Sequence, residues 1–167
     1  MKIESSYGSD VCFEYWDTPV MYNEQLWLLA ELRIMNNIHL FFKLNSDSPD
    51  DIYVTTISSR CPFRATDETY AYNCIGKYLK RKVPKDKSEK KCSTYKIWNT
   101  SFIEDIEENN ALSDYVLQRD KNIFQYLIVT EDEYIEFISL DPLEWNFHKN
   151  VKIDELVNFY MKKSLGS

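Results

Sequence analysis

Glycine is nearly absent from this chain, with three in 167 residues. So few glycines leave no phosphate-cradling loop, and no Walker, GxGxxG or HExxH pattern occurs. Histidine is equally scarce, with only His39 and His148 to serve as a general base. His39 alternates with Phe41 in an apolar strand pattern and reads as a structural histidine, while His148 precedes Lys149 in a polar stretch and reads as a surface residue. The four cysteines, Cys12, Cys61, Cys74 and Cys92, form no CxxC pair, so neither a zinc site nor a redox motif is indicated, and reduced thiols are expected. Cys92 follows Lys90 and Lys91, whose charge would favour a thiolate, but a thiol without a task in a loop is the simpler reading. The start of the chain lacks a secretory apolar run, and no later run approaches the ~18 residues of a membrane span. A cytoplasmic, non-enzymatic protein without cofactor or metal is expected.

Acid is what the chain has in quantity. Between Ile103 and Glu144 there are twelve acids against Arg119 and Lys121. Such a block repels phosphates and anionic membranes and favours a basic partner. Glu107-Glu108 and Glu131-Asp132-Glu133 supply clustered carboxylates, but EF-hand spacing is lacking and solvated charge is the plainer reading. From Lys80 to Lys91 the text KRKVPKDKSEKK holds seven bases and two acids. Its net +5 against the chain's −7 leaves −12 on the remainder, so the run reads as a solvated loop at about 80–92 and not as a nucleic-acid contact.

The apolar pattern predicts a single domain over residues 1–167, beginning with strands. Val11 to Trp16 alternates, Thr18-Pro19 breaks it, and Gln25 to Ile34 joins Ile38 to Leu44 through a turn at Met35-Asn36-Asn37. Leu26, Leu29 and Arg33 also fit a helix, so the first of that pair stays open. Ile52 to Ser58 completes a meander. Tyr70 to Leu79 has helical spacing, with Thr66 or Asp67 placed as its cap. Tyr95 to Trp98 reads as a strand and Ala111 to Gln118 as a short helix. Ile123 to Val129 and Tyr134 to Leu140 form the clearest hairpin, and Ile153 to Lys163 a closing helix. The fold class expected is α+β, with antiparallel sheets and two or three helices packed on one face.

Tyrosines set among acids supply contact area, while the carboxylates steer a basic partner. Within Thr100 to Ser139, the residues Phe102, Asp105, Asn109, Tyr126, Ile128, Thr130, Asp132, Ile135, Glu136 and Ile138 follow a phrase that resembles the C-terminal portion of small bacterial immunity-type proteins. Gln125 and Phe137 depart from that pattern, where His and Val stand. The resemblance covers about a quarter of the chain and implies a non-enzymatic inhibitor bound to a cognate toxin. The expected contact residues are Glu107, Glu108, Asp114, Tyr115, Glu131, Asp132, Glu133 and Glu136. A phage-encoded anti-defence protein, mimicking nucleic acid with its carboxylates or inhibiting a host defence protein, is the alternative.

Overall fold

The computed structural model describes residues 12–20, 25–45, 48–67, 92–98, 102, 124–139 and 143–166. Its strands are β1 (Cys12–Tyr15), β2 (Leu26–Ile34), β3 (Asn37–Leu44), β4 (Ile52–Ser58), β5 (Phe63–Asp67), β6 (Thr94–Trp98), β7 (Phe124–Val129), β8 (Glu133–Ser139) and β9 (Trp145–His148), followed by helix α1 (Ile153–Leu165). They form two antiparallel sheets. Sheet A has the order β1-β6-β7-β8-β5 and sheet B the order β2-β3-β4-β9.

Alternation within the strands builds the core between the sheets. Tyr126, Ile128, Ile135 and Phe137 of sheet A meet Leu26, Ile38, Leu40, Phe42, Leu44 and Ile57 of sheet B. Trp16 bridges the layers, 4.7 Å from the Tyr126 ring and 5.8 Å from the Trp145 ring. The far face of sheet B presents Phe41, Ile52 and Val54, which α1 covers with Leu156 and Tyr160. Acids in the first turn of α1, Asp154 and Glu155, and Lys162 and Lys163 in the last suit its macrodipole. Gly166 ends it in the left-handed conformation, φ 75°, with its N–H turned back to Lys162 and Lys163 carbonyls. Asn150, also left-handed, leads into the helix, where its N–H meets Asp51 and the Val151 N–H meets the Asp50 carbonyl.

β2 resolves the strand-or-helix ambiguity of its sequence. Leu28 pairs with Phe42 but Ala30 with Phe41, so Leu29 is the extra residue of a β-bulge. The bulge shifts the phase of alternation. Leu26 and Leu28 pack into the core between the sheets, whereas Leu29, Ala30 and Leu32 pack toward α1. The expected turn is the two-residue link Met35-Asn36, with Met35 at φ 53°. That left-handed first position is what a two-residue hairpin link requires.

Three expectations need correction. Among the described residues there is one helix, not two or three, and the architecture is mostly antiparallel sheet. Thr66 and Asp67, read as candidates for a helix cap, are the last residues of β5, a strand the pattern did not predict, paired with Tyr134 and Glu133 of β8. His148, read as lying in a polar stretch, ends β9, the edge strand of sheet B on β4. The helices expected at Tyr70 to Leu79 and Ala111 to Gln118, and the basic run from Lys80 to Lys91, lie outside the described residues. Cys92, at the end of that run, is buried, and its carbonyl accepts the Tyr95 hydroxyl at 2.8 Å.

Candidate functional site

The acidic hairpin tip is built from its turn. The Thr130 N–H and hydroxyl both donate to the Glu133 carbonyl, at 2.9 and 2.8 Å, and the Glu133 N–H donates back to the Thr130 hydroxyl at 2.9 Å. Threonine competes well for such local backbone bonds. The Glu131 N–H donates to the Leu26 carbonyl at 2.9 Å, which fastens the tip of sheet A to the start of β2 in sheet B. Three successive carboxylates therefore stand on a bridged turn, Asp132 exposed and Glu131 and Glu133 half-buried. Glu107, Glu108, Asp114 and Tyr115 lie outside the described residues.

Glu136 is placed differently from its neighbours at the tip. It is 0% exposed, on the face of sheet A turned away from the shared core. Its Oε2 accepts Arg64 Nε at 2.7 Å, and its Oε1 accepts Gln125 Nε2 at 2.6 Å. Arg64 Nη2 is also 2.7 Å from Oε2 but lacks hydrogen-bond alignment, so that contact contributes charge attraction only. The guanidinium lies over the Phe102 ring, 4.5 Å from its centroid. A carboxylate so buried acts as a structural anion and presents nothing to a partner. Its flanking residues carried the signal, because Tyr134 and Ile138, two positions either way, put Glu136 on an apolar face.

A third polar group lies beneath α1, and the sequence reading singled out only its histidines. His39 is 5% exposed, with Nδ1 2.8 Å from Thr56 Oγ1 and Nε2 3.2 Å from Ser164 Oγ. Its ring lies 4.9 Å from that of Tyr160. His148, expected at the surface, is half-buried, and its Nε2 meets the Tyr160 hydroxyl at 3.1 Å. Burial holds both imidazoles below the ordinary histidine range, and the Lys163 ammonium adds to the effect. Burial likewise raises the Tyr160 phenol. A cation–π return of about 0.5–1 kcal/mol from Tyr160 opposes these effects on a charged His39, but desolvating a buried ion costs several kcal/mol and wins.

Ser164, His39 and Thr56 are ordered like a nucleophile, a base and an orienting group. The electrostatics oppose that use. Ser164 lies in the last turn of α1, where the carbonyl end of the helix dipole disfavours an alkoxide and a developing oxyanion. The group is therefore read as a helix anchor.

No cluster of three or more His, Cys, Asp or Glu suited to a metal occurs among the described residues. No described helix is long and apolar enough to cross a membrane. In comparisons with known proteins, the chain matches no family model, no curated protein and no solved structure.

Proposed function

We propose that the chain is a non-enzymatic binding protein of the immunity type, which occludes a basic toxin with the acidic end of the molecule around Glu131, Asp132 and Glu133. The observation that carries this reading is the bracing of the tip. Four hydrogen bonds within the turn and to Leu26 fix the backbone that bears the three carboxylates. A braced backbone leaves less chain entropy to lose on binding, and the field of the carboxylates speeds the encounter with a cation-rich surface. Glu107, Glu108, Asp114 and Tyr115 join the face in this reading. Glu136 supports it from below by holding β8 against β5 and β7.

The test is capture on immobilised protein from bacterial lysates, eluted over a salt series, with native chain beside the triple reversal of Glu131, Asp132 and Glu133 to Lys. One dominant basic protein, lost in the folded reversal variant, is the expected result. Equal capture by both forms sinks the proposal, and several nucleic-acid-binding proteins eluting together would replace it with nucleic-acid mimicry.

A further inference from the structure

The two histidines of the chain approach one tyrosine from β3 and β9. We infer that His39, His148 and Tyr160 form an acid-sensitive latch, and that protonation of the two imidazoles releases α1 from sheet B. The inference stands independently of the proposed toxin-binding face.

The latch is closed by neutral groups. A neutral His39 donates from one ring nitrogen and accepts at the other, which suits the hydroxyls of Thr56 and Ser164 on either side. As an imidazolium it donates from both. The hydroxyls can turn to accept, so the hydrogen bonds survive and the penalty is one of charge. Lys163 Nζ is 6.0 Å from the centre of the Tyr160 ring, so two protonations would gather three cations about one aromatic side chain.

Among the described residues the neighbours offer no compensating anion. Across the sheet, His39 faces Leu32 of β2 and Thr56 of β4, and His148 faces Ile52 of β4. From α1 come Tyr160, Ser164 and Lys163. Asp51 accepts the Asn150 N–H, and Lys149, Lys152, Asp154, Glu155 and Lys162 are exposed. Tethers at Asp50 and Asp51 hold the chain just before the helix, so release is a swing about Asn150 and Val151. The sign follows from linkage. Both folded-state pKa values lie below the unfolded value of 6.5, so the latch is intact above that pH and is lost as pH falls through the folded values.

Amide exchange followed by NMR between pH 8 and 5, corrected for intrinsic rates, tests the latch. An opening that takes up two protons grows by up to about 100-fold per pH unit and a one-proton opening by about 10-fold. The expected result is a two-proton rise in opening across Ile153–Leu165 while β7 and β8 keep their protection. His39→Gln or His148→Gln alone should lower the order to one proton, and the double variant should remove the pH dependence. A flat profile in the native chain, loss of protection everywhere at once, or a double variant that still opens with acid overturns the inference. If the histidine variants do not fold, Lys163→Gln decides: it brings the folded-state pKa values closer to 6.5, so a smaller total rise in opening that levels off at a higher pH supports the latch, and an unchanged rise overturns it.

Discussion

On the face of sheet A turned from the shared core, a carboxylate is neutralised by an arginine; on the corresponding face of sheet B, two uncharged imidazoles are satisfied by hydroxyl groups. Both arrangements meet the requirement that buried polar atoms find partners. They differ in what breaks them. The Arg64–Glu136 pair is weakened when one partner is removed, because the other loses an opposite charge in a buried place. The histidine group tolerates the loss of one hydrogen bond but responds to an added proton.

The largest expected effect breaks the pair on sheet A. Arg64→Met should cost about 3–5 kcal/mol in urea denaturation, because the fully buried Glu136 loses the guanidinium 2.7 Å away. Adding Glu136→Leu to that variant should recover most of the loss; no recovery would mean that Arg64 matters for packing on Phe102 and not for charge. Next, Leu156→Ala beneath α1 should cost about 2–3 kcal/mol, the low part of the range for a buried leucine, since a surface helix can settle into the space. Protection in sheet A should persist in this variant, and a joint loss would show that the two faces do not open separately. Tyr160→Phe removes one hydrogen bond to His148 and should cost about 1 kcal/mol at pH 7.5 by the same measurement. The smallest change lies on neither face. Met35→Asn relieves a left-handed methionine at the β2–β3 link and should raise stability by about 0.5 kcal/mol, equally at pH 7.5 and 5.5.

The elements legible in the sequence are those whose signal is local. The β7–β8 hairpin alternates on both sides of a turn-forming threonine, and α1 repeats Ile153, Leu156, Val157 and Tyr160 at helical spacing. β5 and β9 were not legible. Each is short, and each is specified by a partner far away, Phe63 by Phe137 and Trp145 by Thr55. Thr66 and Asp67 read as capping residues, and nothing local marks their pairing with β8. At the candidate site, the acidity of Glu131 to Glu133 was readable, but the threonine bonds that fix the turn and its tie to Leu26 were not, because they depend on how the two sheets meet. Net charge points Glu136 to the surface, whereas alternation with Tyr134 and Ile138 places it on a buried face. The approach of His39 and His148 to Tyr160 is also non-local; it becomes visible only when β9 lies on β4 and α1 folds back over β3.

The same remote pairing has a kinetic side. β2, β3 and β4 are consecutive and joined by short links, so their meander can assemble early. β4 must then wait for β9, and Phe41, Ile52 and Val54 wait for α1, while residues up to about 165 are synthesised. During that interval the meander carries apolar side chains on both faces with neither cover in place. A nascent chain stalled after Ser58 should therefore bind holdase chaperones, and one extended through Leu165 and clear of the ribosome should lose them, which makes the last two elements the step that ends the chain's exposure to aggregation.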